Sequence, residues 1–140
     1  MIITGYSIKH AIQRYVTSYE LMLSRGAVHD AYHAKRVVLS LRAIRDDHRR
    51  ICKVTVRESD GTAQLTLEDA LRHRKELKQI LRTTLTLQAA VGDPVATESL
   101  MDDYCSASRR LAAFETAIAE GMSNKFDTDL YEIHINESWF

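Results

Sequence analysis

Proline is almost absent from this chain, with one residue in 140, and glycine is scarce, with five. Few breakers mean long uninterrupted elements, and a collagen-like or low-complexity chain is excluded. The two cysteines, Cys52 and Cys105, are too few for a disulfide framework and suit a reducing compartment. No apolar run reaches the roughly 18–20 residues of a membrane span. The start, MIITGYSIKH, lacks the basic-then-apolar order of a signal peptide. A cytoplasmic protein with no membrane partner is therefore expected. A charge excess is also lacking: 19 basic residues balance 19 acidic ones, which argues against a bulk electrostatic partner such as DNA.

What is present is 45% apolar and 27% charged residues, an ordinary globular composition of single-domain length. The balanced charge hides an asymmetry. Residues 1–60 carry 11 Lys/Arg and 6 Asp/Glu, whereas residues 61–140 carry 8 and 13. The halves, at +5 and −5, have complementary potentials and fit either each other or a second copy head to tail, and the alternative is that the basic half meets an acidic protein partner.

Apolar residues recur at helical spacing in four stretches. The first runs from Ser7, an expected N-cap, through Ile8, Ala11, Ile12, Tyr15, Val16, Tyr19 and Leu23, and Gly26 stops it. The second uses Val28, Ala31, Ala34, Val37, Val38, Leu41, Ile44 and Ile51. Alternation then takes over: Val54 and Val56, then Leu65 and Leu67, flank Asp60-Gly61, which predicts two strands and a turn of several residues. Thr66 and Asp69 form a capping signature before a third helix on Leu67, Ala70, Leu71, Leu77, Ile80, Leu81, Thr84 and Leu85. Gly92-Asp93-Pro94 breaks it. A fourth helix extends from about Val95 to Met122 on Met101, Tyr104, Ser108, Leu111 and Ile118. Alternating Tyr131, Ile133 and Ile135 predict a last strand. As buried large-to-small changes, Ile12→Ala and Leu71→Ala are each expected to cost about 2–5 kcal/mol.

The chain also repeats itself. YSIKHAI matches LTLEDAL, AKRVVLSLRAI matches SRRLAAFETAI, and VTVRES matches IHINES, in order, at offsets of 59, 74 and 79 residues. The reading is an internal duplication, 1–60 and 61–140, of a strand–helix–helix–strand unit within one domain. The expected fold class is mainly α: a four-helix bundle of two tandem helical hairpins with coiled-coil-like seams, and short β-strands after helices 2 and 4.

The stretches SIKHAI (Ser7 to Ile12), TLEDALRHRKEL (Thr66 to Leu77) and INESW (Ile135 to Trp139) resemble the septicolysin-like small helical proteins, over a third of the chain. Here His10 stands where that family has Glu, and the acidic segment between its first two helices is missing. The resemblance implies a helical, self-associating protein and carries over no catalytic residue.

Candidate chemistry is sparse. His29 and His33 lie four apart on one helix face, a metal-ligand spacing, but the H-E-x-x-H pattern and a second E-x-x-H are missing. Asp46-Asp47-His48 resembles an acid–base group without a nucleophile. Arg42, Arg45, Arg49 and Arg50 follow one helix and could bind phosphates, with Tyr15, Tyr19 and Tyr32 as stacking surfaces. Interleaved carboxylates offer these arginines partners nearer home. Arg109-Arg110 and Lys35-Arg36 recur in the repeat and read as structural. No phosphate-loop, dinucleotide or nucleophile-elbow motif occurs. The expectation is a non-enzymatic structural or interaction protein without cofactor, forming a homo-oligomer, in the manner of an accessory component of a phage or bacterial assembly. Its interface would be built from Tyr131, Ile133, Ile135, Trp139 and Phe140. The alternative is a nucleotide or nucleic-acid binding module on the Arg42–Arg50 face.

Overall fold

A computed structural model describes residues 1–90 and 92–140 of the chain. Among the described residues the protein is mainly helical, with four helices and two short antiparallel strand pairs: β1 (Ile2–Thr4), α1 (Gly5–Ser24), α2 (Val28–Ile51), β2 (Lys53–Glu58), β3 (Gly61–Thr66), α3 (Leu67–Ala90), α4 (Pro94–Ser123) and β4 (Lys125–Asp127). Two 3₁₀ turns follow at Thr128–Leu130 and Glu137–Trp139. The contacts divide the chain into two compact units, Met1–Cys52 with Gly121–Phe140, and Lys53–Glu120.

Local chemistry sets the helix ends. α1 begins earlier than the Ser7 cap predicts. Thr4 is the N-cap, its Oγ1 accepting from the Ser7 backbone N–H at 3.2 Å, because Thr4 still has the extended backbone of β1. Thr66 does the same for α3, accepting from Asp69 N–H at 3.1 Å. At the end of α1, Gly26 N–H donates to Leu23 and Ala27 N–H to Met22, while Gly26 has φ +73°. This is a Schellman stop, whose left-handed residue glycine supplies without strain. Asp93 Oδ1 caps α4 through Val95 N–H at 3.1 Å, and Pro94 occupies the first helical position, where no N–H is needed.

In the first unit α1 packs along α2. The core gathers Ile3, Ile8, Ala11, Ile12, Val37, Leu41, Ile44 and Tyr131. A Cβ on Gly5 would lie 2.9 Å from Met122 Sδ and 3.2 Å from Met122 Cα, so the start of α1 runs close against the last turn of α4 and a larger residue there would force Met122 to shift. β1 pairs with β4 antiparallel, Thr4 opposite Lys125 and Ile3 opposite Phe126.

In the second unit β2 and β3 form the expected hairpin, with a tighter turn than predicted: Glu58 pairs with Gly61, leaving only Ser59-Asp60 between them. Leu67, expected in the strand and in the helix alike, is the first residue of α3. Arg74 and Lys78 of α3 both reach Glu115 of α4 at 3.6 Å, and His73 tilts against Phe114 with ring centroids 5.4 Å apart.

The two strand pairs are built alike. Lys53 faces Thr66 in β2–β3 as Lys125 faces Thr4 in β1–β4, so each N-cap threonine pairs with a lysine just beyond a long helix. The element order strand–helix–helix–strand occurs twice, and each strand pair joins one strand from each copy. The two threonine caps lie 62 residues apart and the two paired lysines 72 apart. The third sequence match is corrected outright. Tyr131, Ile133 and Ile135 form no strand; the last strand is Lys125–Asp127.

Candidate interaction surfaces

The alternation of the C-terminal segment has a different cause. Tyr131 is buried and Ile133 and Ile135 half-buried, while Glu132, His134 and Asn136 face solvent. An irregular segment thus lays every second side chain on the first unit's core without a hydrogen-bonded ladder. Trp139 and Phe140 pack on the same cluster, and Arg14 donates to the Trp139 carbonyl oxygen. All five residues expected at an interface therefore cover the chain's own core. Thr128 N–H and hydroxyl both donate to the Met1 carbonyl at 2.9 Å, and the N-terminal ammonium lies 3.5 Å from Asp127. The Asp127 carboxyl is held below its usual range by the Asp129 backbone N–H and the nearby ammonium.

Beneath that segment lies a buried aromatic and titratable group. His48 is stacked on Phe126, with centroids 4.1 Å apart and planes 14° apart, and Phe126 meets Tyr131 edge-on. Burial, then Arg49, lowers the His48 pKa. Burial also raises the Cys52 thiol, and burial followed by Asp47 and Cys52 raises the Tyr131 hydroxyl. These directions favour the uncharged form of each group. Stacked and buried, His48 is part of the packing and cannot serve Asp46 and Asp47 as an accessible acid–base partner.

The arginine face of α2 is largely engaged. Arg45 meets Asp46 at 3.1 Å and Arg50 meets Asp47 at 3.0 Å. Arg49 is half-buried and Arg42 exposed. A cleft of about 560 Å³ lies between this end of α2 and Leu130–Ile133, lined by Asp46, Asp47 and Glu132 with Arg50. Three carboxylates against one cation give it a lining unsuited to a phosphate. Sequence reading missed a second cleft, of about 520 Å³, between the β2–β3 turn and α4. Arg57, Arg109 and Arg110 reach it, but Glu58 holds Arg110 at 2.9 Å and Asp60 stands at the rim. His29 and His33 are both exposed on α2, and among the described residues no three His, Cys, Asp or Glu side chains converge on a metal position. Tyr15 and Tyr32 carry arginines over their rings, Arg14 at 5.1 Å and Arg36 at 6.0 Å.

The most distinctive surfaces are at the helix connections. Leu21, Leu23, Val28 and Tyr32 are exposed around the α1–α2 connection, and Leu85, Leu87, Val95 and Met101 around the α3–α4 connection. Leu23 and Leu85 lie in phase with the seams of α1 and α3 yet are exposed, whereas Val28 and Met101 fall outside the buried faces of α2 and α4. Val28 at 68% and Val95 at 75% are among the most exposed. Single exposed apolar residues are ordinary, and here they recur on both helices beside each connection. Among the described residues no helix is long and apolar enough to cross a membrane. Comparison with protein-family models, curated proteins and solved structures returns no match.

Proposed function

We propose that this protein is a non-enzymatic interaction protein that self-associates through the apolar ends of its helix pairs. The architecture of this reading is the duplicated strand–helix–helix–strand unit, written as two tandem helical hairpins. The twice-repeated element order and the matching Thr–Lys register of the two strand pairs support it. So does the resemblance to septicolysin-like helical proteins, which implies self-association. An accessory role in a phage or bacterial assembly fits such a part.

One observation carries the reading: large apolar side chains are exposed on both helices beside each helix connection. The interface thereby moves from the C-terminal segment, whose Tyr131, Ile133, Ile135, Trp139 and Phe140 are occupied by the core, to the helix ends. Phosphate binding on Arg42–Arg50 is the weaker reading, since Arg45 and Arg50 already have carboxylate partners.

Light scattering on the full chain between about 1 and 200 μM tests the proposal, the range in which modest protein contacts form. The expected result is a mass that rises with concentration. A monomer mass throughout would reject it.

A further inference from the structure

We infer that self-association is head to tail, with the α1–α2 end of one copy docking on the α3–α4 end of another. The inference rests on the self-association reading and specifies which surfaces meet. The two ends share apolar character but differ in charge. Residues 20–36 carry Arg25, Lys35 and Arg36 against Glu20 and Asp30, a net +1, with His29 and His33 beside them. Residues 82–104 carry Asp93, Glu98, Asp102 and Asp103 against Arg82 alone, a net −3. None of these residues takes part in an ion pair within the chain among the described residues, although Arg36 lies over the Tyr32 ring and Asp93 caps α4.

Two like ends must be compared with two unlike ends. Joining two α3–α4 ends would bring −3 against −3 around an apolar patch, where water is expelled and repulsion is least screened. Joining an α1–α2 end to an α3–α4 end sets opposite charges around the same apolar contact. Both ends expose apolar side chains, Val28 and Tyr32 one turn apart on α2 and Leu85, Leu87, Val95 and Met101 beside the α3–α4 connection. The +5 and −5 of the chain's halves point the same way.

The test blocks one end at a time. Tyr32→Asp spoils the α1–α2 end and Leu87→Lys the α3–α4 end, each by placing in the patch the charge that its proposed partner surface already carries. Each variant alone is expected to stay monomeric up to at least tenfold the concentration at which the wild type associates. An equimolar mixture is expected to give a 1:1 dimer and nothing larger, because each variant supplies the intact end that the other lacks. Association of the wild type should weaken as salt rises from 0.05 to 0.5 M. If the wild type associates and Leu87→Lys alone still forms dimers, like ends join and the inference fails while self-association stands. If both variants associate as the wild type does, neither end is the interface and the inference fails. A wild type that never associates removes both. Val28→Asp and Val95→Lys, at still more exposed positions, repeat the test should either first variant lose its helical circular dichroism.

Discussion

Two leucines one turn apart at the start of α3 provide a sharp check of the packing. Leu67 and Leu71 fit the same apolar periodicity, yet Leu67 is fully buried and Leu71 only half-buried. Leu→Ala removes three carbons. At about 0.8 kcal/mol each, full burial makes the transfer loss about 2.4 kcal/mol. A cavity that collapses only in part adds about 1 kcal/mol, so Leu67→Ala should cost about 3–4 kcal/mol. A half-buried Leu71 gives up about half the transfer loss and opens its space to water, for about 1 kcal/mol. With a urea m-value of about 2 kcal/mol/M, the midpoints should fall by about 1.7 M and 0.5 M. Equilibrium urea unfolding followed by far-UV circular dichroism, at unchanged m, reads both. Equal losses, or a larger loss for Leu71→Ala, would refute the seating of α3. The expectation of 2–5 kcal/mol drawn from periodicity is thereby kept for Ile12, which is buried, and lowered for Leu71.

Three further outcomes follow from the same geometry. Gly26→Ala places a Cβ at φ +73° and should cost about 1–2 kcal/mol in thermal or urea unfolding, although no atom lies near enough to clash; an unchanged stability would mean that the Schellman stop is not formed. His48 holds a lowered pKa in the folded state, so the unfolded chain binds a proton there first. Stability from this group is present above its ordinary pKa of about 6.5 and is lost as pH falls from there through the folded value. His48→Phe keeps a ring against Phe126 and should lose less melting temperature between pH 7 and pH 5 than the wild type; equal slopes would contradict the buried neutral histidine. Cutting the chain in the β2–β3 turn, as Met1–Asp60 and Gly61–Phe140, leaves every strand without its partner. The mixed halves should recover helical circular dichroism that neither shows alone, and a first half that folds fully by itself would speak against the shared strand pairs.

Much of this molecule is written in short-range chemistry. Gly26, Thr66, Asp60-Gly61 and Gly92-Asp93-Pro94 punctuate the chain where the elements end, because turns, caps and breakers act over a few residues. The seams of α1 and α2 were legible through Ile8, Ala11, Ile12, Val37, Leu41 and Ile44. The engagement of the arginine face was legible too, since Asp46 and Asp47 lie beside it in sequence. The true cap of α1 was not, since Thr4 serves only once β1 is extended by its pairing with β4.

Tertiary structure alone decided which strand meets which and which in-phase apolar residue is covered. β1 finds its partner at Lys125–Asp127, where a three-residue strand around Phe126 carries almost no pattern of its own. Tyr131, Ile133 and Ile135 show a strand's alternation, but β4 already holds β1, so the segment packs side chains without pairing backbone. Leu23 and Leu85 obey the same period as Ile8 and Leu67 and end in water. Periodicity records which way a side chain points from its helix; burial requires another surface to be there, and that surface comes from a distant part of the chain or from another molecule.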